Sequence, residues 1–376
     1  MNFEQQFDGF IEEAENNHDM AEPSWKIISV QESVGTVLAH DITEIRPEEF
    51  KGPAFRRGHI IREQDICHLQ RLGKEHLFIL EVKEDEMHED DAAVSLANAL
   101  MSEGVRSKGS PKEGKITIIA KQDGLLKINK NGLLRVNMLG DVMCATLHDS
   151  TIVKKGQTVA GTRAIPLVIK KNIIDQAVQI CRETQGVISV KEIRKPKAGI
   201  VITGNEVYNG LITDAFAPII EKKIKSLNGE TVGIYYAPDD EVIIEARLRD
   251  LISRGADLLI TTGGMSVDPD DKTRFAIRRL GAKEITYGSA VLPGAMFLVA
   301  YLKNDRKTCS TLSAGIPILG IPACGMYARI TIFDIILPRI LAGEKIGRKE
   351  LAELGHGGLC MKCDVCCFPT CPFGKG

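Results

Sequence analysis

The sequence predicts an α/β protein with a doubly wound, mostly parallel sheet, preceded by smaller β-rich α+β modules and followed by a cysteine-rich tail. Three observations predict it. After Ala198, strand-like apolar runs alternate with helix-like apolar stripes. Before Lys195 the signals are short strands and turns instead. Five of the ten cysteines crowd the last segment. The implied boundaries are a helix over 1–25, modules over 26–195, the sheet domain over 196–343 and the tail over 344–376.

In order along the chain, Phe3, Phe7, Phe10 and Ile11 line one face of an N-terminal helix that ends before Glu22-Pro23-Ser24. That helix either packs on its own domain or serves docking and self-association, and a homo-oligomer is expected. TVLAHDI, HLFILEV, KITIIA, LLKINK and TIVKKGQTVAG read as strands, with one helix around Glu89 to Ser102 carrying Ala92, Ala93, Leu96, Ala97 and Leu100 on one face. EIRKPKAG reads as a linker. AGIVIT is then a buried strand, and Asp214 caps a helix bearing Phe216, Ile219, Ile220, Ile224 and Leu227, closed by Gly229. TVGIYY, a helix over Asp240 to Arg254 and the strand ADLLITT follow. ILGIPA and a helix around Met326 to Leu341 containing Pro338 complete the domain. Strand, helix, strand in this order implies parallel pairing with right-handed crossovers.

A formal charge of -2 gives no overall field to gather nucleic acid or an anionic membrane surface, so neither is an expected partner. The acidic N-terminus lacks the basic and apolar regions of an export signal, and no apolar run reaches the ~20 residues of a membrane span. A cytoplasmic location is expected.

The stretch TTGGMSVDPDDKTR places Gly263 and Gly264 at the carboxyl end of a predicted strand, where ligands of open parallel sheets bind. The glycines allow a sharp bend and close approach of bare N–H groups, and a helix starting near Lys272 points its positive end the same way. Thr203, Gly204 and Glu206 in TGNE form a second such loop. Asp268, Asp270 and Asp271 repel a phosphate unless a divalent cation intervenes, and Mg2+ takes one or two carboxylates together with phosphate oxygens. Asp239 and Asp240, at a neighbouring strand end, can face the same crevice. Alternatively, these aspartates are helix caps and turn formers.

TGNE, Asp214, PDDE, TTGG with an aspartate seven residues on, VLPG and GIPA, in that order over Ala198 to Gly343, resemble the molybdopterin-binding domain of molybdenum-cofactor biosynthesis proteins. Molybdopterin adenylyltransferases and molybdotransferases share it. The resemblance implies catalytic, Mg2+-binding roles for Asp240 and Asp271. It also implies pterin or phosphate contacts from Gly263, Gly264 and Ser266, and later ligand loops at Pro293, Gly294 and Ile321-Pro322; Thr203, Gly204, Glu206 and Asp268 are further candidate contacts for the same ligand. The chain departs from the family where MSVDPDD replaces a second glycine-rich run and Ala323-Cys324 replaces a glycine-asparagine pair. The reaction therefore stays open between nucleotidyl transfer to molybdopterin, molybdenum insertion, a non-catalytic carrier that hands cofactor to a molybdenum-dependent apoenzyme, and a nucleotide-directed hydrolase like the competence-type proteins that share the domain.

In the first half, Lys51, Arg56, Arg57 and His59 form either a solvated basic loop or an anion contact, and His88-Glu89 sits at a helix start. Cys360, Cys363 and Cys366 have the C-x2-C-x2-C spacing of iron-sulfur ligands. Cys371-Pro372 lies at the ferredoxin-like spacing from Cys367. The same thiolates suit tetrahedral Zn2+.

Overall fold

The computed structural model describes residues 25–46, 50–80, 82–265, 272–303 and 315–375. Residues 1–24 of the N-terminal helix expected over 1–25, and the residues Ser266, Asp268, Asp270 and Asp271, lie outside them. The chain divides into two compact units, one of residues 1–122, 127–147 and 153–190, the other of 123–126, 148–152 and 191–376.

The first unit opens with Trp25–Ser29 paired antiparallel to His76–Leu80, and Ile42–Arg46 paired to Phe50–Phe55. Val30, Leu38, Ile42, Phe55, Ile61, Leu69 and Leu77 bury a small core there. A four-stranded antiparallel sheet follows, in the spatial order Val105–Lys112, Lys115–Ala120, Thr158–Ala164, Val142–Thr146. The expected helix is Glu89–Leu100, with Ala92, Ala93, Leu96, Ala97 and Leu100 all buried. It is not alone, as the sequence reading had it: Ile66–Arg71, Lys130–Asn137 and Lys171–Glu183 are also helical. Ile174, Ala177, Ile180 and Cys181 are the buried stripe of the last of these, a 3.6-residue period that the strand reading of the region passed over.

The second unit is built on β1 (Lys197–Thr203), α1 (Asn205–Tyr208), α2 (Phe216–Ser226), β2 (Glu230–Ala237), α3 (Glu241–Ser253), β3 (Leu258–Thr262), α4 (Thr273–Arg279), β4 (Lys283–Tyr287), β5 (Leu298–Leu302), β6 (Ile316–Ile321), α5 (Ile332–Leu341) and α6 (Arg348–Glu353). Its six strands run β2-β1-β3-β6-β5-β4. β2, β1, β3 and β6 pair in parallel, whereas β5 is antiparallel to β6 and β4 antiparallel to β5. Successive β1 residues serve opposite faces: Ile200 and Ile202 join the core under α2 and α5, while Val201 joins the core under α3. Strands covered on both faces read as continuous apolar runs, as IVI does here.

Asp214 accepts from the Phe216 and Ala217 amides and starts α2. Thr331 and Asp334 form a capping box on α5, which contains Pro338. The stretch read as a linker is tied down instead. Arg194 donates to the Leu341 carbonyl through its backbone at 3.1 Å and to Asp257 Oδ1 through its guanidinium at 2.7 Å. Residues 344–375 pack on the same core, with Ile346, Leu351, Leu354 and Phe373 buried.

Candidate functional site

Parallel pairing puts the carboxyl ends of β1, β2, β3 and β6 at one edge of the sheet. Leu298, the first residue of β5, pairs with Gly320 near the end of β6, so the loop before β5 lies at that edge too. Gly204, Asp239-Asp240, Gly263-Gly264, Pro322 and Pro293-Gly294 are thereby brought to one end of the sheet.

The edge is organised by threonines. Thr203 Oγ1 donates to the Thr262 carbonyl at 2.9 Å and lies 3.0 Å from Thr273 Oγ1. Thr273 Oγ1 donates to the Gly263 carbonyl at 3.2 Å. All three threonines are buried. This knot explains the glycine pair in a way the sequence reading did not. Gly263 has φ +81°, and a Cβ there would lie 2.3 Å from the Thr203 carbonyl oxygen; Gly264 has φ +56°, and its Cβ would lie 2.4 Å from Thr273 Oγ1. The glycines let the turn pack directly on the Thr203–Thr273 wall. The hydroxyls of Thr261 and Thr262, fully buried at the end of β3, have no hydrogen-bond partner among the described residues.

Two further loops are locked to one another. Asn205 N–H donates to Asp239 Oδ2 at 3.1 Å, and Asp239 N–H donates to Asn205 Oδ1 at 3.2 Å. Gly204, at φ +135°, starts α1, and Glu206 stands exposed beside it. Asp240 caps α3, its Oδ1 accepting from Val242 N–H at 2.8 Å and Ile243 N–H at 2.9 Å. This is the capping role that the sequence left open beside the catalytic one.

At the other side, Leu292-Pro293 is a cis peptide and Gly294 is buried at φ +132°. A Cβ on Gly294 would lie 2.4 Å from Ile332 Cγ2, and its carbonyl accepts from Phe297 N–H and Ser289 Oγ. Pro322 is buried, and its carbonyl accepts from Gly325 N–H at 2.9 Å. Neighbouring Cys324 has its thiol pKa raised by burial.

Sequence reasoning missed a second support under the TTGG turn. Met265 is buried against Gly320, whose Cβ would lie 2.5 Å from Met265 Cε. The Met265 carbonyl accepts from Tyr287 Oη, and the Arg274 guanidinium lies 4.5 Å from the Tyr287 ring centroid. No sequence signal marked Tyr287, because its partners are distant in the chain.

Cys360, Cys363, Cys366, Cys367 and Cys371 are all free thiols. Among the described residues no three His, Cys, Asp or Glu side chains are grouped as metal ligands, so neither the tail cysteines nor Asp240 stands in a formed metal site. No helix of the described residues is long and apolar enough to cross a membrane.

Residues 199–342 match the family described as a probable molybdopterin binding domain, and residues 27–81 match one described as a domain of unknown function. A CinA-like protein of Thermosipho melanesiensis is 41% identical over 91 residues, 24% of this chain and 22% of that protein. A CinA-like protein of Mycobacterium avium is 37% identical over 95 residues, 25% of this chain and 22% of that protein. The chain thus spans about a fifth of the length of these curated relatives. Among solved structures, the tungsten cofactor synthesizing protein MoaB of Pyrococcus furiosus aligns at 20% identity over 40% of this chain and 99% of that one, with a TM-score of 0.31. From residue 199 to residue 342, therefore, the chain carries a domain of the molybdopterin-binding family.

Proposed function

We propose that this protein binds molybdopterin, or the molybdenum cofactor made from it, at the carboxyl end of the β1-β3 strands and acts in molybdenum-cofactor biosynthesis. The observation that carries the reading is the Gly263-Gly264 turn packed on the Thr203–Thr262–Thr273 knot, inside the segment that matches the family. The residues fit such a ligand. The Gly263-Gly264 turn carries no side chain at the end of β3, and two buried threonine hydroxyls there lack partners among the described residues. A turn without side chains at a strand end suits the close approach of a phosphate to the backbone.

Bound molybdopterin supplies a phosphate handle and a dithiolene that holds molybdenum. The chain's own part is to orient it: the locked Asn205–Asp239 pair fixes the first two loops against each other, and Gly294 and Pro322 shape the far wall. Magnesium, implied at Asp240 and Asp271 by the family resemblance, has one of its two implied ligands among the described residues, Asp240, whose Oδ1 serves two α3 amides. No step here runs through it. Ser266, Asp268 and Asp271, which lie outside the described residues, remain the proposed remainder of the ligand loop.

Anaerobic native mass spectrometry with molybdopterin, ATP and molybdate tests the reading. A retained pterin is expected, lost in Gly264→Val. Added AMP identifies nucleotidyl transfer, added molybdenum identifies insertion, and unchanged pterin identifies a carrier that serves an apoenzyme. Folded protein that retains no pterin but hydrolyses a nucleotide overturns the reading in favour of the hydrolase.

A further inference from the structure

The tail holds chemistry that the ligand loops do not use. Cys363, Cys366 and Cys367 are exposed, although a free thiol behaves as a small apolar group and is among the most buried of side chains. Cys144 and Cys181 show that ordinary behaviour. They are buried, and burial pushes their thiols up to about 12 and about 11, which keeps them protonated and inert. Packing explains those two and does not explain the exposed three.

The stretch that carries the tail thiols is fastened at both ends to one place. Leu292 N–H donates to the Gly358 carbonyl and Cys360 N–H donates back to the Leu292 carbonyl, each at 2.8 Å, making a parallel bridge between Leu292 and Leu359. At the far end, Gly374 N–H donates to the Gly357 carbonyl at 2.9 Å. Phe373 is 4% exposed in the core of the sheet, and a Cβ on Gly374 would lie 2.6 Å from Ile335 Cδ1. Closure entropy that a free chain would lose on wrapping an ion is thus already lost in folding. Between the fastened ends there is no helix or strand. The Cys367 carbonyl accepts from Thr370 N–H at 2.7 Å and from Thr370 Oγ1, a turn that leads the chain back to Cys371. Cys360 and Cys371 both rest partly buried against the core.

We propose that this fastened stretch is a tetrathiolate metal site, formed by Cys360, Cys363, Cys371 and one of the adjacent pair Cys366 and Cys367, for a thiophilic metal held as Zn2+ or as an iron-sulfur cluster. The spacing supplies ligands from short turns, as both centres require. No three of these thiols are grouped as ligands in this structure, so binding requires the irregular chain between the fixed ends to draw them together. Each ligating thiol gives its proton to solvent as its sulfur bonds the metal, with no change of oxidation state. Because Leu292 immediately precedes Pro293-Gly294, the stretch is fastened to that loop through the Leu292–Leu359 bridge. The proposal stands independently of the molybdopterin reading.

The test uses the full chain purified without oxygen, assayed for zinc, iron and acid-labile sulfide, and then stripped and titrated with Co2+. One metal centre per chain and intense thiolate-to-cobalt absorption are expected, with slowed tryptic cleavage after Lys362. Zinc without sulfide identifies a zinc site; iron with matching sulfide identifies a cluster. Both signals are expected to be lost in Cys363→Ser, where serine removes no buried contact, and kept in Cys67→Ser. Comparing Cys366→Ser with Cys367→Ser names the fourth ligand. Folded, reduced protein that takes up no metal and gives no thiolate-to-cobalt absorption overturns the proposal, as does metal content unchanged by both Cys363→Ser and Cys371→Ser.

Discussion

Single side chains decide the shape of the ligand edge. Gly263→Ala places a methyl on the Thr203 carbonyl at positive φ, and we expect a loss of about 1–3 kcal/mol, read by chemical denaturation. Asp240 offers a cleaner separation of roles. As a cap, asparagine replaces it with little change in stability while alanine costs about 1 kcal/mol. Loss of ligand turnover in Asp240→Asn at unchanged stability would show that the carboxylate does more than cap. In the first unit, burial, reinforced by the charge of Asp90, raises the Glu89 carboxyl from 4.5 to about 7. Between those values the unfolded chain ionises while the folded one stays protonated, so stability falls as pH rises from about 4.5 and levels off above about 7. Glu89→Gln should remove that decline in denaturation curves recorded across the window; an unchanged decline sinks the assignment.

At the scale of elements, α2, α3 and the parallel strands were legible because local rules agree: Asp214 caps, Ile244, Leu248 and Leu251 repeat at helical spacing, and IVI runs apolar without a break. Lys171–Glu183 is equally periodic, with Ile174, Ala177, Ile180 and Cys181 on one buried stripe. The antiparallel β4–β5 edge was not legible, since strand direction follows from pairing and not from composition. The tail is an element in the same sense, held by its own Phe373, which is buried in a core of residues distant in sequence. Phe373→Ala should weaken its anchoring by about 3 kcal/mol, seen as faster hydrogen exchange over 358–374 with the β1–β3 amides still protected. Equal deprotection of sheet and tail would refute separate anchoring.

For the molecule as a whole, the six strands and both cores of the sheet lie within residues 197–373. A fragment of residues 191–376 is expected to unfold cooperatively and to keep whatever pterin binding the full chain has, measured by denaturation and by ligand-induced stabilisation. A fragment without a cooperative transition would show that the sheet depends on the rest of the chain.

The sequence by itself determined the alternation of strand and helix, the turn at Gly263-Gly264 and the order of motifs that marks residues 199–342, because hydrophobic period, capping chemistry and glycine need only nearby residues to act. The tertiary structure decided what those residues face. It turned Asp240 to its helix, set Thr203 and Thr273 behind the glycines and put Phe373 into the sheet's core. Each of these outcomes joins groups distant in sequence or chooses between two partners for one carboxylate, and that choice rests on packing, which no local pattern contains.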